Sequence, residues 1–376
     1  MSTTSDPAAR AGAILEIDLG GIVENWRLLA RQAAPALCAA VVKANAYGLG
    51  ADPVACALAA AGCRMFFVAT LDEGIALRRA LGAAPEIAIL NGPFPGCAAE
   101  FPAHRLIPVF NEPGQIEAWR ELGAEPPAIL HVDTGMARLG LDAAEFATVV
   151  ASPPPIRWRA VMSHLACADR PDHPLNQRQR ARFAAAAAQL PGVPASLAAS
   201  SGIFLGPSYH FDLVRPGAAL FGVNPLPGRP NPLRQIVRLS GKIVQIRQID
   251  RGESVGYGAA HVMQARGRAA IVAVGYGDGW LRSLSHRSCG YIAGTRVPLL
   301  GRVSMDLVTF DVSAVAPALV HPGAMIELLG DNYGVDDAAS DAGTIGYEIL
   351  CALGSRYHRI YRDSPAADAS GTNLPE

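Results

Sequence analysis

Residues 36–50, ALCAAVVKANAYGLG, place Lys43 directly after a run of seven uncharged residues. These residues are mostly small or β-branched, a pattern typical of a strand buried in a parallel sheet. The carboxyl end of such a strand is where α/β sheets and barrels bind their ligands. Partial desolvation there lowers the pKa of an amine, which makes Lys43 a candidate Schiff-base nucleophile. A lysine that only reaches out to water is the alternative, but the polar turn with two glycines after Lys43 favours a ligand-binding loop.

The same alternation of apolar strand and helix recurs from Ile14 to about Pro227. The strands are predicted to end near Lys43, Ala69, Leu90, Phe110, Asp133, His164, Ser200 and Arg215. The segments between them that predict helices include LDEGIALRRAL, EPGQIEAWREL, AAEFATVVAS and NQRQRARFAAAAAQL. Eight strand-then-helix units indicate a (β/α)8 TIM-type barrel. A doubly wound sheet would need a glycine fingerprint after its first strand, and the sequence has none.

The pattern changes after Pro227. Residues 233–250 alternate like an antiparallel strand pair, and further strands are predicted at RAAIVAV, RVPLLG, DLVTFDV and AMIELLG. Residues 341–350 predict a helix. The sequence therefore predicts an α/β protein: an N-terminal barrel over residues 12–227, then a mostly β C-terminal domain over residues 228–362. The ends, residues 1–11 and 363–376, are predicted to be flexible tails.

Composition narrows the function classes. Half of the 376 residues are hydrophobic and 17% are charged, enough for a large core. The net charge of −1 provides no basic field for nucleic acid or an anionic membrane, and no run of about 18 apolar residues predicts a membrane span. Seven scattered cysteines without CxxC pairs indicate neither a metal site nor disulfides. With no signal peptide evident, we predict a cytoplasmic protein with reduced thiols.

VVKANAYGLG (residues 41–50) resembles the lysine motif of the alanine racemases, which are fold-type III enzymes dependent on pyridoxal 5′-phosphate (PLP). Motifs in the family's order occur from about residue 15 to residue 361, so the resemblance covers nearly the whole chain. It implies PLP as the cofactor and Lys43 as both its attachment point and a catalytic base. It also implies a homodimer with active sites at the subunit interface.

The resemblance extends to the other cofactor-binding positions. In DTGMARLG (residues 133–140), Arg138 matches an arginine that contacts the phenolic oxygen of PLP and helps hold the substrate carboxylate. The residues that match the family's phosphate-binding groups are Ser201, Tyr47, Tyr347 and the backbone N–H groups of Gly217 and Ala218.

Arg215 indicates the reaction class. The resemblance places it against the pyridine nitrogen of PLP, where a permanent cation keeps the ring unprotonated and therefore a poorer electron sink. A short-lived carbanion favours reprotonation at Cα, which argues for a racemase. The barrel-type PLP decarboxylases have an acidic residue at this position.

Tyr257, in ESVGYGA (residues 253–259), matches the family's second catalytic base. A racemase needs acid/base groups on both faces of Cα, and Lys43 and Tyr257 would supply one each. A phenol has a pKa near ~10, and the family's chain of Tyr257, His164 and Arg215 would favour the phenolate. In the family this tyrosine comes from the partner subunit.

Two further motifs match the substrate site. AVGYGDGW (residues 273–280) resembles the entrance segment, with Tyr276 as a gate. GRVSMD (residues 301–306) resembles the loop in which the backbone N–H of Met305 receives the substrate carboxylate, supported by Asp306.

The chain departs from the family pattern at several positions. His131 stands where many relatives have a carbamylated lysine that braces the arginine, so a different anion, such as chloride, or His131 itself must hold Arg138. Leu49, Ser200 and Ser304 replace commoner residues without touching the two bases.

These observations predict a PLP-dependent enzyme that interconverts L- and D-alanine. A racemase of broader range, acting on serine or lysine, is the alternative, because a pocket discriminates weakly between side chains that differ by a methylene. A non-catalytic PLP carrier would lack the second domain and Tyr257. The sequence leaves open whether the enzyme supplies D-alanine for peptidoglycan or degrades alanine, and how firmly the dimer holds.

Overall fold

The computed structural model describes residues 6–123 and 126–363. Contacts divide the chain into two compact units, Val23–Arg234 and the combination of Met1–Ile22 with Gln235–Glu376. The strands are β1 (Ala13–Asp18), β2 (Leu37–Cys38), β3 (Ala40–Val41), β4 (Met65–Val68), β5 (Glu86–Ile89), β6 (Ile107–Phe110), β7 (Ala128–His131), β8 (Trp158–Met162), β9 (Ala195–Ser196), β10 (Leu213–Val214), β11 (Val237–Ile249), β12 (Ser254–Val255), β13 (His261–Val262), β14 (Gly267–Val272), β15 (Cys289–Ile292), β16 (Thr295–Pro298), β17 (Val308–Asp311), β18 (Met325–Leu329) and β19 (His358–Arg362).

Helices separate most of the barrel strands, and two more precede β19 in the second unit. They are α1 (Pro7–Arg10), α2 (Leu19–Ala33), α3 (Lys43–Tyr47), α4 (Ala51–Ala60), α5 (Leu71–Leu81), α6 (Glu100–Ala103), α7 (Pro113–Glu121), α8 (Ala143–Ala151), α9 (Pro174–Ala187), α10 (Val335–Ala342) and α11 (Gly346–Ala352). Within the described ranges, no helix is long and apolar enough to cross a membrane.

The unit Val23–Arg234 is a closed parallel barrel. Strands β3 to β9 form a seven-stranded parallel sheet in sequence order, and β10 pairs in parallel with β2. β10 also meets β9 at its other edge, because Arg215 N–H donates to the Ala198 carbonyl (2.9 Å). β2 and β3 are successive parts of one strand, interrupted at Ala39. Eight strands therefore close the ring, and the predicted (β/α)8 architecture is confirmed.

Helix boundaries in the barrel follow their capping residues. α5 and α8 each begin with a capping box, in which Thr70 pairs with Glu73 and Asp142 pairs with Glu145. Inward-facing apolar residues fill the barrel interior: Ala39, Val41, Met65, Phe67, Ala88, Ile107, Val109, Ile129, Ala160, Met162 and Leu213. Since the interior is packed in this way, polar side chains are confined to the two ends of the barrel.

The second unit is mostly β. Its centre is β11, which pairs antiparallel with β1, β14 and β18, while β19 pairs in parallel with β1. The predicted strand pair over residues 233–250 was wrong: β11 runs through as one thirteen-residue strand, with its register shifts absorbed by bulges. The predicted helix over residues 341–350 was also wrong, because Gly343, in the left-handed region (φ 70°), ends α10 before α11 begins.

The predicted domains, residues 12–227 and 228–362, differ from these units at two places. β1 joins the second unit by pairing with β11 and β19, and residues 228–234 join the barrel unit. Of the predicted flexible tails, residues 1–5 and 364–376 lie outside the described part of the chain. Residues 7–10 form α1, whose first turn is capped by the Asp6 carboxylate.

Candidate active site

Lys43 lies immediately beyond β3, at the carboxyl end of the barrel strands, and it is half-buried. The backbone turns sharply after it: Ala44, Asn45, Ala46 and Tyr47 all lie in the left-handed region, with φ between 53° and 55°. Non-glycine residues adopt this conformation only where their surroundings hold them. The Asn45 side chain contributes by accepting the Ala51 N–H at 2.8 Å. The lysine is thus presented on a tight, strained turn at the barrel mouth.

A group of hydroxyls and backbone amides lies at the same end of the barrel. The Ser200 hydroxyl accepts the N–H groups of Gly217 (3.0 Å) and Ala219 (3.1 Å). A Cβ on Gly217 would lie only 2.2 Å from the Tyr47 hydroxyl oxygen, so a glycine is required for that hydroxyl to reach the turn. Ala218 opens the short 3-10 turn that follows, and Ser201 opens another beside Ser200. Ser200, one of the departures from the family pattern, therefore holds the backbone of this turn.

Arg215 is a buried cation held by neutral oxygens. Its side chain is 3% exposed and donates to the Ser163 carbonyl (2.6 Å) and to the Ser196 hydroxyl. Burial lowers its pKa to about 10, so it is still protonated at neutral pH. Among the described residues, no carboxylate forms an ion pair with Arg215. The described hydrogen bonds of the Arg215 side chain thus go to neutral oxygens only.

Arg138 is carried by a closed loop after β7. The Asp133 carboxylate accepts the N–H groups of Gly135 (2.8 Å), Met136 (2.8 Å) and Ala137 (3.0 Å). Burial opposes ionisation of Asp133, but these hydrogen bonds outweigh it and its pKa is lowered. The exposed Arg138 follows directly, so its backbone is fixed while its side chain faces solvent.

His131 is buried beside Arg138 and carries its proton on one defined nitrogen. Its Nδ1 lies 2.8 Å from Asn111 Oδ1, and the Asn111 amide group donates to the carbonyls of Leu90 and Val109. Asn111 therefore presents an acceptor, Nδ1 donates, and Nε2 is left as an acceptor. Burial, with the charges of Arg215 and Arg138, lowers the pKa of His131 to about 3, so it is neutral. A neutral acceptor thus stands where the family resemblance suggested an anion.

His164 lines the same cleft as His131 and Arg138. Burial, followed by the nearby positive charges, lowers its pKa to about 3. Its backbone is fixed by the fully buried Gln179 of α9, which donates to the His164 carbonyl (2.8 Å) and accepts the Ala166 N–H (2.9 Å). Sequence reasoning missed Gln179; the available signal was a glutamine on the buried face of the predicted helix NQRQRARFAAAAAQL.

In the second unit, Tyr257 projects from a glycine turn. Gly256 and Gly258 flank it with φ of 73° and 70°, and the tyrosine is 74% exposed. The turn lies against Arg302, because a Cβ on Gly258 would be 3.0 Å from that guanidinium. The segments ESVGYGA and GRVSMD, far apart in sequence, are therefore neighbours.

The segments that carry Tyr276 and Met305 are joined directly. Tyr276 N–H donates to the Ser304 carbonyl (2.9 Å) and Gly277 N–H donates to the Met305 carbonyl (2.8 Å). Gly275 allows this contact, since a Cβ there would lie 2.3 Å from the Met305 carbonyl oxygen. Tyr347 lies apart from these segments in sequence, in α11, and is 37% exposed.

Arg356 fastens these two segments together, and sequence reasoning missed it. It binds both oxygens of the buried Asp278 carboxylate (2.6 and 3.0 Å) and one oxygen of Asp306 (2.7 Å). Asp278 in turn accepts the Gly275 N–H (2.8 Å). One cation thus bridges two carboxylates on adjacent loops. An arginine in the closing GSRYHR segment gave no sequence signal of this role.

Comparisons with known proteins show which family the chain belongs to. The family models described as the N-terminal and C-terminal domains of alanine racemase match residues 17–225 and 236–361. An alanine racemase of Rhodospirillum rubrum is 54% identical over 360 residues, 94% of this chain and 96% of that protein. A Mesorhizobium japonicum protein named as a catabolic alanine racemase is 51% identical over 360 residues, 94% of each. The crystal structure of alanine racemase from Bartonella henselae with covalently bound pyridoxal phosphate has a TM-score of 0.89 and 42% identity, covering 94% of this chain and 100% of that one. The chain therefore belongs to the alanine racemase family.

Proposed function

We propose that this protein interconverts L- and D-alanine as a PLP-dependent racemase in which Lys43 and Tyr257 act on opposite faces of the substrate's Cα. The observation that carries the proposal is the half-buried Lys43 on its strained turn, at the strand ends that also hold Arg215 and the Gly217 turn. Relatives named alanine racemase at 54% and 51% identity support the substrate.

The barrel residues fit PLP. The Ala218 amide, with the hydroxyls of Tyr47 and Ser201, is suited to bind its phosphate. The Gly217 N–H lies in the same turn and would have to turn from the Ser200 hydroxyl (3.0 Å) to join them. The buried Arg215 offers only N–H donors, so it can bond a pyridine nitrogen only in the unprotonated form. The bound cofactor withdraws electron density from Cα and makes its hydrogen acidic. The similarity of this fold to the alanine racemase of Bartonella henselae with covalently bound pyridoxal phosphate supports the same cofactor here.

The two bases have different requirements. Lys43 must shed its proton to accept one from Cα, and it lies half-buried at the barrel mouth, where the substrate would approach. Tyr257 must act as a phenolate or phenol in turn, and the neutral His164 and cationic Arg215 are the groups we assign to its support. Racemisation then takes a proton from one face and returns one to the other, which a single base cannot do without moving.

The reaction class follows from Arg215. A decarboxylase of the same architecture would need an acidic residue to protonate the ring nitrogen, and the hydrogen-bonded oxygens around Arg215 are a backbone carbonyl and a hydroxyl. Arg138, with the neutral His131 acceptor beside it, is assigned to the phenolic oxygen and substrate carboxylate. Met305 N–H and Asp306 are assigned to the same carboxylate.

We further propose a homodimer in which the partner subunit supplies Tyr257. Large apolar side chains are exposed in the hairpin of β12 and β13, which carries Tyr257, and in the loop that carries Met305. Their exposed fractions are 74% for Tyr257, 55% for Met305, 44% for Val262 and 40% for Leu307. Exposed apolar patches of this kind mark interaction surfaces. Seven scattered cysteines without a CxxC pair favour a reducing compartment, and we propose the cytoplasm. Serine or lysine remains the alternative substrate, and both peptidoglycan supply and alanine catabolism are open roles.

Exchange in D2O tests the proposal. The purified, PLP-loaded protein is given L-alanine in D2O, and chirality and deuterium at Cα are followed together. We expect racemic product that carries deuterium at Cα. Slow exchange without inversion would indicate one working base and would contradict the racemase assignment. Exchange only with serine or lysine would keep the mechanism and change the substrate.

Arg356→Gln is expected to raise KM for alanine several-fold while leaving kcat within about threefold, because it frees the two loops that carry Tyr276 and Met305. The matched control is Arg159→Gln. Arg159 also binds a carboxylate with two nitrogens (Glu86, 2.8–3.0 Å), but Glu86 is the first residue of β5, at the opposite end of the barrel strands from Lys43. If KM rose equally in both variants, the cause would be a general loss of stability and not the freeing of the two loops.

A further inference from the structure

We propose that Glu73 is a positioning residue for Lys43: its carboxylate holds the left-handed turn that presents the lysine amine at the barrel mouth. The inference rests on the proposed function of Lys43 and adds a residue that acts on it through the backbone. Glu73 touches neither substrate nor cofactor in this assignment.

One carboxylate joins the ends of two neighbouring barrel strands. Glu73 Oε1 accepts the N–H of Ala44, the residue after Lys43, at 2.6 Å. Its Oε2 accepts the N–H groups of Ala69 (2.8 Å) and Thr70 (3.3 Å), which follow β4. Charge-assisted hydrogen bonds of this kind are stronger than those between neutral groups. Glu73 therefore ties the Lys43 turn to the next strand of the barrel.

The turn needs to be held at both ends. Four consecutive non-glycine residues, 44–47, lie in the left-handed region, a conformation that relaxes unless the surroundings oppose it. At its far end, Gly48 N–H donates to the Ala44 carbonyl (2.7 Å) and Gly50 N–H donates to the Asn45 carbonyl (2.8 Å). At its near end, beside Lys43, the hydrogen bond from Ala44 to Glu73 holds the backbone.

Glu73 is itself fixed by its helix. It occupies the third position of α5, where the Thr70 hydroxyl accepts its N–H (3.3 Å). The next residue, Gly74, brings the helix onto the barrel: a Cβ there would lie 2.3 Å from Ile89 Cδ1 of β5. Because this close contact with β5 fixes the position of α5, it also fixes the Glu73 carboxylate relative to the ends of the barrel strands.

The chain contains a matched control for the capping role. Glu145 occupies the same position in α8, where its carboxylate accepts the Asp142 N–H (3.0 Å) and the Asp142 carboxylate accepts its N–H (2.8 Å). Both glutamates are half-buried members of a capping box. Only Glu73 also bonds the turn beside Lys43. Any effect peculiar to Glu73 therefore reports on that extra bond.

The test compares Glu73→Gln with Glu145→Gln in the holoenzyme. A glutamine has one acceptor oxygen, so it cannot serve Ala44 and the α5 cap together. We expect Glu73→Gln to speed hydrogen–deuterium exchange in residues 43–50 and to lower kcat roughly tenfold to a hundredfold, the cost of a misplaced catalytic group. KM should change little. Glu145→Gln should speed exchange only near residues 142–148 and leave kcat unchanged.

Each outcome decides the matter. Unchanged exchange in residues 43–50, or faster exchange with normal kcat, would overturn the positioning role, as would equal losses of kcat in both variants. If Glu73→Gln does not fold, Glu73→Asp serves instead, because it keeps the charge near its own cap but is one methylene shorter toward Ala44. The exchange measurement needs no substrate, so it stays informative about Glu73 even if the wild-type protein proves not to be a racemase.

Discussion

Lys43→Ala is expected to lower racemase activity by roughly 10⁴-fold, because we assign to this one side chain both the attachment of the cofactor and one of the two bases. The variant should also lose the visible absorbance of the attached cofactor. Lys43 is half-buried on the turn, and the backbone bonds of Ala44 and Gly48 do not involve its side chain. We therefore expect the thermal unfolding midpoint of the cofactor-free protein to change by only a few degrees.

The composition of the chain gives this prediction an unusually clean control. Only two of its 376 residues are lysines, Lys43 and Lys242. Lys242 is half-buried and donates to the Ala9 carbonyl (2.7 Å) in the second unit. After borohydride treatment, mass spectrometry should find the cofactor on the peptide with Lys43, and Lys242→Ala should keep activity. Cofactor fixed to Lys242 in the wild-type protein, or racemase activity in Lys43→Ala, would remove Lys43 from the mechanism.

The barrel could be predicted because its determinants are local. Buried parallel strands must be apolar along their length, so strand ends near Phe110 or Arg215 can be recognised from the run that precedes them. The capping boxes that begin α5 and α8 are also local, because each is formed by two residues within a four-residue segment. The position of Lys43 at a strand end follows from the same periodicity, and the structure places it just beyond β3.

The contacts that support the site could not be predicted in this way. The bond from Glu73 to Ala44 spans 29 positions, and the bond from Arg356 to Asp306 spans 50. Neither residue type is unusual in its local sequence, since a glutamate at the third helical position is explained by capping alone. The pairing of β1 with β11 and β19 is non-local too. Such contacts depend on how the elements pack, which periodicity does not encode.

Tyr257→Phe is expected to lower racemisation by about 10²–10⁴-fold while leaving Cα exchange from one enantiomer in place, because one face keeps its base. Tyr257 is 74% exposed in the chain, so loss of the hydroxyl should not affect folding of the unit. The measurement is loss of deuterium from Cα-deuterated L- and D-alanine, each assayed separately in H2O. Undiminished exchange from both enantiomers would rule out Tyr257 as a base.

Mixing the Lys43→Ala and Tyr257→Phe variants decides which subunit supplies the tyrosine. If the partner supplies Tyr257, a mixed dimer has one site with both bases and one with neither. Random exchange makes about half of the dimers mixed, so activity should recover to about a quarter of the wild-type value. If Lys43 and Tyr257 of one subunit served the same site, every site in the mixture would lack one base and no activity would return. Recovery therefore requires a shared active site, and its absence in dimers shown to have exchanged subunits would place both bases in one chain.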